Sequence, residues 1–372
     1  MNRIARAIVF ALALLHSPLV SGADGKPYVS AILVESTTGR VLFEDNAHES
    51  RAVASMTKMM TLLVVMEAVE SGTTSLDSVV EISKKAEDEG GSQVYLARGG
   101  VFTVRQLVAA SLIHSANDAA MALAEHVGGS EEAFVAQMNR RRVALGMTET
   151  RFTSPNGLPS QRRPDDMMSA DDAAKLAVRL LEFPIIREYA ARTEMDFRNG
   201  TFEKLLTTNK LLGSFPGANG LKTGYHRGAG FCITASAKRG DMELIAVIMG
   251  SEARDASFDS AAALLRRGFD NWRWAQPVRK GHRMRDPLMI RNGEVSTVPV
   301  VAASTPKLLL EKNEARRLAT TVVSDLAEAP IRKGERVGMI VVALDGKTLA
   351  SVPALADTDV AASTWWERLL GF

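Results

Sequence analysis

The alternation of apolar and polar positions divides the first 181 residues into strand-like and helix-like segments. Two β-rich runs at 28–35 and 40–43 flank a Thr-Thr-Gly turn, which predicts a hairpin. Apolar residues spaced three and four positions apart then indicate a series of helices, each with a buried face. The predicted helices cover residues 55–70, 104–113, 116–127, 131–145 and 170–181.

The strand pattern returns after this helical middle. Runs at 220–225, 230–237 and 243–249 have β character, and the last two are joined by a Lys-Arg-Gly-Asp turn. A helix predicted over 257–272 follows. Strands at both ends of a helical region predict one sheet flanked by a helical lobe, within a domain that we place at residues 24–274.

Residues 275–352 have a different texture. Their apolar runs are short and are separated by Gly, Pro and Asn, which predicts a small all-β domain. This region carries 13 basic and 8 acidic residues, whereas residues 24–274 are slightly acidic. The positive charge either favours an acidic surface or forms an ordinary solvated face.

The two ends of the chain have the sequence patterns of segments that determine where a protein is located in the cell. Residues 1–23 combine two arginines, a short apolar run and small residues before a cleavage point, which predicts an export signal. Residues 353–372 form a tail, and from 358 onward its apolar and aromatic residues would share one face of a helix. Such a helix is too short to span a membrane. It would lie on a membrane surface or pack on protein.

Composition limits the function classes. The 372 residues are 46% hydrophobic and 24% charged, with a formal charge of +2, which indicates a globular protein of two or three domains. A nucleic-acid-binding function is not expected at this charge. The single cysteine, Cys232, excludes an intrachain disulfide and is expected to be a small core residue. The six histidines include no His-x-x-x-His spacing, so we expect no metal and no cofactor.

Candidate chemistry begins at Ser55-Met56-Thr57-Lys58, at the start of the first long helix. Residues i and i+3 share a helix face, so an uncharged Lys58 amine could take the proton of the Ser55 hydroxyl. By itself a Ser-x-x-Lys sequence is expected about once by chance in a chain of this length. A second match at 304–307 is interrupted by a proline.

Two further motifs follow in order. Ser115-Ala116-Asn117 lies between two predicted helices, although Ser154-Pro155-Asn156 has the same pattern. Lys222-Thr223-Gly224 lies on a predicted strand and occurs once. Ser-x-x-Lys at a helix start, Ser-x-Asn at a helix junction and Lys-Thr-Gly on a strand are the ordered motifs of penicillin-recognising serine enzymes.

On these motifs the chain resembles the low-molecular-mass penicillin-binding proteins that are D-alanyl-D-alanine carboxypeptidases with a C-terminal β domain. The resemblance runs from about residue 28 to the end and includes Asn156-Gly157-Leu158-Pro159. It implies an α+β domain of the β-lactamase/transpeptidase type, with an antiparallel sheet flanked by helices. It also implies an amphipathic tail docked on the periplasmic face of the inner membrane, peptidoglycan stem peptides as substrates and β-lactams as covalent inhibitors.

The resemblance also implies the catalytic roles. Ser55 would be the nucleophile, and Lys58 would be the general base with a lowered pKa, which burial and the charge of Lys222 would favour. Ser115 would relay a proton to the leaving amine, and Asn117 would bind the substrate amide.

The binding roles lie on the last strand. Lys222 and Thr223 would bind the terminal carboxylate of the substrate, and Gly224 would let the substrate backbone lie close. The backbone N–H of Tyr225, with that of Ser55, would hold the oxyanion. The family commonly has a carboxylate-binding arginine further on, but Ser257 stands at that position. The nearest candidate, Arg254, is either its replacement or a plain surface residue.

Other functions remain as alternatives. A class A β-lactamase would need a Glu-x-x-Leu-Asn element, and residues 118–221 contain none. A DD-endopeptidase or a weak β-lactamase on the same fold, and a non-enzymatic cell-wall-binding protein, stay open, although the intact motifs argue against loss of turnover. A Ser-His-Asp hydrolase is disfavoured because no Gly-x-Ser-x-Gly elbow is present.

Overall fold

The structure is a computed structural model that describes residues 25–197, 203–325 and 327–364. The chain divides into two compact units. Among the described residues, the first comprises those from 25 to 238 together with 243–265, and the second comprises 239–242 together with those from 266 to 364. Each unit has its own hydrophobic core, and each is described by itself.

The main sheet of the first unit has five strands, and its pairings β1–β2, β1–β11 and β9–β10 are antiparallel. Its order is β2-β1-β11-β10-β9, so β9 lies at an edge. The strands of this unit are β1 Ser30–Glu35, β2 Val41–Asp45, β3 Arg51–Ala52, β4 Val79–Glu81, β5 Val101–Thr103, β6 Met167–Met168, β7 Glu194–Asp196, β8 Lys204–Leu206, β9 Ala218–His226, β10 Gly230–Arg239 and β11 Met242–Ser251.

In the part of the chain that the structure describes, seven α-helices lie between β2 and β9, and an eighth follows β11. They are α1 Lys58–Glu70, α2 Lys84–Glu87, α3 Val104–Ala109, α4 Asn117–Gly128, α5 Glu131–Ala144, α6 Ala170–Leu180, α7 Pro184–Ala190 and α8 Arg254–Asn271, of which α8 continues into the second unit. Side chains of Thr103, Ser130 and Ser169 cap α3, α5 and α6 by accepting a backbone N–H. The predicted sheet, hairpins and helical lobe are confirmed.

Helix α1 is buried on nearly all sides, whereas its sequence predicted a single buried face. Ten of its thirteen residues are buried, including Lys58 and Thr61. A helix that is apolar all round belongs to the centre of a core, and α1 has α4, α5 and α6 as neighbours. Residues on the first turn of α1 are therefore carried into the interior.

The helix predicted over 104–113 has an irregular end. It is α-helical only to Ala109, continues as a π-helical turn over Ala110–His114, and stops at Ser115, whose φ is 65°. A left-handed residue ends a helix because its backbone cannot continue the helical path. Ser115 thus projects from a sharp corner rather than from a regular helix.

The second unit is a β domain, as its sequence predicted. Its four-stranded sheet has the order β15-β19-β18-β17 and covers a core that includes Val298, Ile340 and Ala354. Its strands are β12 Trp272–Ala275, β13 Leu288–Met289, β14 Thr297–Val298, β15 Val300–Ala302, β16 Leu308–Glu311, β17 Leu318–Ser324, β18 Arg336–Leu344 and β19 Lys347–Ala356.

The structure corrects the predicted limits of the β domain. Strand β12, which pairs with β16, starts before residue 275, and β19 runs on to Ala356. Val360 pairs with Ile331, and the Ser363 backbone N–H donates to the Asn292 carbonyl at 2.8 Å. The prediction of a helix from residue 358 is therefore wrong up to 364, because those residues extend the β unit.

The remaining end segments lie outside the described residues. These are the predicted export signal at 1–23 and the aromatic part of the tail at 365–372, which contains Trp365 and Trp366. Among the helices that the structure describes, none has the length and apolar character needed to cross a membrane.

Gly224 offers a test of how closely the edge strand approaches the turn before α1. A Cβ atom at this position would lie 2.5 Å from the Val53 carbonyl oxygen and 3.2 Å from the Ser55 nitrogen. We expect Gly224→Ala to lower the free energy of unfolding by about 1–3 kcal/mol, measured by urea denaturation, because backbone must shift to make room.

Gly228 on the following hairpin turn is the matched control. A Cβ atom there would meet the His226 ring at 3.4 Å, an ordinary contact. Gly228→Ala should leave the unfolding midpoint nearly unchanged. Equal destabilisation by the two substitutions would contradict the close approach at Gly224.

Candidate active site

The turn that carries Ser55 is held between a loop and a strand. Ser55 lies in a short 3-10 turn, Ala54–Thr57, and Ala54 has a φ of 48°, which is uncommon for a residue with a side chain. A Cβ atom at Gly157 would lie 1.9 Å from the Ala54 carbonyl oxygen. The loop around Gly157 and the strand around Gly224 therefore both press against the turn, which limits the positions open to the Ser55 hydroxyl.

Asp166 ties the same loop to the turn. Its carboxylate accepts hydrogen bonds from the Ser154 hydroxyl at 2.5 Å, the Ser154 backbone N–H at 3.0 Å and the Thr57 hydroxyl at 3.2 Å. The Asp166 side chain is buried, so these charge-assisted bonds replace its lost hydration. The Asp166 hydrogen bonds thus hold the loop against the turn.

Lys58 meets Ser55 from the first turn of α1. Its side chain is 0% exposed, and its Nζ lies 2.9 Å from Ser55 Oγ. It also donates to Asn117 Oδ1 at 2.6 Å and to the Asn156 backbone carbonyl at 2.7 Å. The structure therefore brings together the serine and the lysine of the first motif at hydrogen-bond distance.

The surroundings of Lys58 favour its uncharged form. Burial lowers its pKa well below the ordinary value, and the positive charge of Lys222 lowers it further. The negative charges of Glu89, Asp166 and Asp118 act in the opposite direction. The lowering of the pKa favours a proton-accepting amine next to the Ser55 hydroxyl.

The second lysine reaches the site from strand β9. Lys222 is 1% exposed, and its Nζ donates to Ser115 Oγ at 2.8 Å and to the Thr223 carbonyl at 2.9 Å. Burial lowers its pKa to about 7. Ser115, the left-handed residue after the π-helical turn, accepts the hydrogen bond from Lys222. The Ser-x-Asn and Lys-Thr-Gly motifs are therefore joined through their side chains.

Asn117 holds the centre of the site. Its Oδ1 accepts from Lys58, and its Nδ2 donates to the Gly90 carbonyl at 2.6 Å. Its backbone N–H donates to the Ser92 carbonyl at 2.7 Å. The side chain predicted to bind a substrate amide is thus already engaged on both sides in the free protein.

The edge strand provides one wall of a cleft. Because β9 has a partner on one side only, alternate backbone groups point away from the sheet. Thr223 Oγ1 lies 2.6 Å from Thr208 Oγ1, and the Tyr225 ring is 58% exposed and stacks on Phe231 with centroids 4.1 Å apart. The sequence predicted that Gly224 leaves room for the substrate backbone. The structure shows that it also leaves room for the turn that carries Ser55.

The cleft beside Ser55 has a volume of about 250 Å³. Arg254 lies on its wall, where Nη2 donates to the Thr208 carbonyl at 3.3 Å, and Ser257 lies there too. The residues that line the cleft are Ser55, Ser92, Ser115, Thr208, Thr223, Gly224, Tyr225, Phe231, Cys232, Arg254, Ser257 and Phe258. Arg254 is therefore at the site and is exposed to an incoming ligand.

Sequence reasoning missed several residues of the site. Thr208 and Ser92 carry no motif, and Glu89 contacts Asn156 through a pairing that joins positions far apart in the chain. The second Ser-x-Asn match at 154–156 is also part of the site. Its contribution to Lys58 is the Asn156 backbone carbonyl, which the side-chain pattern could not indicate.

Two other features with reactive side chains, the Cys232 thiol and a cluster of three possible metal ligands, are not part of the Ser55–Lys58 arrangement. Burial raises the pKa of the Cys232 thiol to about 11, which keeps it protonated and fits the small core residue expected from the sequence. His48, Glu149 and Asp171 place ligand-type atoms within 4.8 Å of one another. Lys175 Nζ already contacts Asp171 at 2.8 Å, and none of the three residues lines the cleft.

Comparison with known proteins agrees with this geometry. Residues 26–253 match the family model described as D-alanyl-D-alanine carboxypeptidase, which covers more than half of the chain. The chain belongs to the D-alanyl-D-alanine carboxypeptidase family. Residues 275–362 match the model of the C-terminal domain of penicillin-binding protein 5. The chain is thus a family member with the added β domain, and the family is one of serine hydrolases.

Curated relatives and solved structures extend over most of the chain. The carboxypeptidase DacF of Bacillus subtilis is 34% identical over 92% of this chain and 89% of its own length. DacC of Escherichia coli is 31% identical over 92% and 86%. The crystal structure of penicillin-binding protein 6B from Escherichia coli is 28% identical with a TM-score of 0.71, covering 88% of this chain and 94% of that one. Function in cell-wall peptidoglycan processing is consistent with these matches.

The lowered pKa of Lys222 predicts a pH dependence. Only the ammonium form carries the positive charge that attracts a carboxylate and a proton that can pass to Ser115, so we expect the rate constant for serine acylation by penicillin to fall above pH 7, with a midpoint near the Lys222 pKa of about 7. Lys222→Arg keeps its charge at all accessible pH values and should move this alkaline limb out of range in whatever activity it retains.

The matched control is Lys210→Arg, because Lys210 is exposed and paired with Asp255 at 2.7 Å. Its pH profile should equal that of the unaltered protein. An alkaline limb that stays in place in Lys222→Arg would exclude Lys222 as its origin.

Proposed function

We propose that this protein is a serine-type carboxypeptidase that removes the terminal D-alanine from peptidoglycan stem pentapeptides through an acyl-enzyme on Ser55. The observation that carries the proposal is the fully buried Lys58 amine 2.9 Å from Ser55 Oγ. A neutral amine at that distance turns a weak hydroxyl nucleophile into a strong one. The motifs and the family supply the substrate class.

Acylation begins when Lys58 Nζ takes the Ser55 proton. The Ser55 oxygen then forms a bond to the carbonyl carbon between the two D-alanines, and negative charge develops on the carbonyl oxygen. The backbone N–H groups of Ser55 and Tyr225 would stabilise that charge, and the close contact of the Ser55 turn with strand β9 at Gly224 supports this role.

The leaving amine needs a proton when the carbon–nitrogen bond breaks. Ser115 donates it and is supplied by the Lys222 ammonium 2.8 Å away. In deacylation a water molecule attacks the ester and returns a proton through Ser115 to Lys222, while Lys58 gives its proton back to the departing Ser55 oxygen. One water is consumed, and both lysines recover their starting states.

The wall of the cleft suits the terminal carboxylate of the substrate. The Thr223 and Thr208 hydroxyls lie 2.6 Å apart, and a hydroxyl there can donate to a carboxylate. Lys222 contributes a positive charge, and Arg254, which donates to the Thr208 carbonyl, adds a second cation on the cleft wall. Arg254 thereby takes the place of the arginine that the family commonly has at the position of Ser257. A β-lactam carries a carboxylate in the same relation to its reactive carbonyl and would acylate Ser55.

The β unit and the tail suggest where the enzyme works. We propose export and attachment to the periplasmic face of the inner membrane through the tail, as a peripheral protein. Two observations support this: residues up to 364 are anchored on the β unit, so the aromatic residues that follow start from a fixed point, and the β region carries excess positive charge. Aromatic side chains suit a membrane interface, and basic residues suit its anionic headgroups.

Replacement of the nucleophile tests the activity. Ser55→Ala should abolish both covalent labelling by fluorescent penicillin and release of D-alanine from a pentapeptide, a loss of at least about 10³-fold, because it removes the hydroxyl that lies at hydrogen-bond distance from the Lys58 amine. Ser304→Ala is the matched control, since Ser304 begins the second Ser-x-x-Lys match but is exposed in the β unit, and this variant should keep both activities. Covalent labelling of Ser55→Ala would disprove the assignment.

The products decide between related activities. Mass spectrometry of peptidoglycan fragments after incubation should show loss of one terminal D-alanine from pentapeptides. Cleavage of cross-links would favour the DD-endopeptidase alternative. Rapid release of hydrolysed penicillin would favour a weak β-lactamase, and labelling without any turnover would favour a cell-wall-binding protein.

Removal of the tail tests the location. A protein ending at Thr364 keeps the contacts of residues 353–364 with the β unit, so its hydrolysis of a soluble pentapeptide should be unchanged. We expect it to lose sedimentation with anionic phospholipid vesicles, whereas the protein with residues 365–372 sediments. Equal sedimentation of the two forms would exclude the tail as the anchor.

A further inference from the structure

One carboxyl group close to Lys58 has no part in the steps above. Glu89 lies half-buried in the loop after α2, and its Oε2 accepts from Asn156 Nδ2 at 2.8 Å. The backbone carbonyl of the same Asn156 accepts from Lys58 Nζ at 2.7 Å. A single fully buried residue thus links the Glu89 carboxyl group to the Lys58 amine.

Asn156 depends on Glu89 for its orientation. Its Oδ1 accepts from the Leu158 backbone N–H at 3.0 Å, and its Nδ2 donates to Glu89. Without Glu89 a buried amide donor would lose this acceptor, which costs free energy and allows the side chain to turn. A change in the Asn156 backbone would move the carbonyl that holds Lys58.

The charge of Glu89 is not neutralised by a direct ion pair within the described residues. The charged groups that face it are Lys58, Glu131 and Arg163, and the Arg163 guanidinium already binds Glu131 at 2.9 Å. Burial raises the pKa of Glu89, and hydrogen bonding from Asn156 lowers it. Of the negative charges that raise the Lys58 pKa, that of Glu89 has the largest effect.

We propose that Glu89 is a positioning residue of this active site, which holds the Asn156 amide so that the Asn156 carbonyl places the Lys58 amine, and whose negative charge opposes the neutral form of Lys58. The inference rests on the proposed role of Lys58 as the base. Glu89 does not touch the reacting atoms. It sets both the position and the charge state of the residue that does.

Two substitutions separate the two effects. Glu89→Gln removes the negative charge and keeps an oxygen acceptor for Asn156, whereas Glu89→Ala removes both. The measurement is the second-order rate constant for penicillin acylation of the full chain between pH 5 and 10. Its acid limb reports the base Lys58, and its alkaline limb reports Lys222, whose pKa shift comes from burial and not from Glu89.

We expect Glu89→Gln to move the acid limb to lower pH by about 0.5–1 unit, because loss of a nearby negative charge destabilises the ammonium form of Lys58. The alkaline limb should stay in place. Glu89→Ala should show the same displacement together with a roughly tenfold lower limiting rate, because Asn156 loses its acceptor and Lys58 its fixed position.

Asp88→Asn is the matched control, because it removes the carboxylate of the residue next to Glu89. The Asp88 side chain is exposed and pairs with Lys84 at 2.5 Å. It should leave both limbs unchanged. An acid limb in Glu89→Gln that coincides with that of the unaltered protein would overturn the proposal. So would an equal displacement in Asp88→Asn, or equal limiting rates in Glu89→Gln and Glu89→Ala.

Folding and the underlying function are checked separately. Near-ultraviolet circular dichroism and the melting temperature establish that each variant is folded, and Glu89→Gln alone decides the charge effect if Glu89→Ala does not fold. If the unaltered protein is not acylated at Ser55, the proposed function fails. If it is acylated and the Glu89 variants behave like it, only the inference about Glu89 fails.

Discussion

The burial of the Lys58 amine is the constraint on which the rest of the site depends. A charged amine is costly in the interior, so the folded protein favours the neutral form. Its two N–H groups donate to the Asn117 and Asn156 oxygens, and its lone pair accepts from the Ser55 hydroxyl. The apolar helix α1 makes this possible, because it lies inside the core and carries the lysine there with it. Lys222 enters from the sheet and adds a second buried amine, which makes the neutral state of Lys58 more favourable still.

Close backbone contacts hold the turn that carries Ser55 in place. The Ser55 turn is pressed by the loop at Gly157 and by the edge strand at Gly224, and neither position has space for a side chain. Asp166 fastens the loop to the turn with charge-assisted hydrogen bonds. The Ser55 hydroxyl therefore sits on irregular backbone that the loop, the strand and Asp166 hold in place, which is how a strained φ at Ala54 can persist in the folded protein.

The two units differ in the residues that they carry. The motif residues all belong to the first unit, while the second has a separate core and an excess of basic residues in its sequence. Of the residues expected as part of a tail, 353–356 end strand β19, and 357–364 pair with loops of the β unit. The segment proposed as a membrane anchor is therefore limited to residues 365–372.

Local sequence determined six of the helices, the strands of the main sheet, the short β runs after residue 275 and the three motifs in order, because periodicity and short spacings are properties of neighbouring residues. Tertiary structure alone showed what each Ser-x-Asn match contributes: the Asn117 side chain meets Lys58, and Asn156 offers its backbone carbonyl. It also decided that α1 is buried all round and that Glu89 reaches Asn156. Those contacts join residues far apart in the chain, and only the packing of separate elements brings them together.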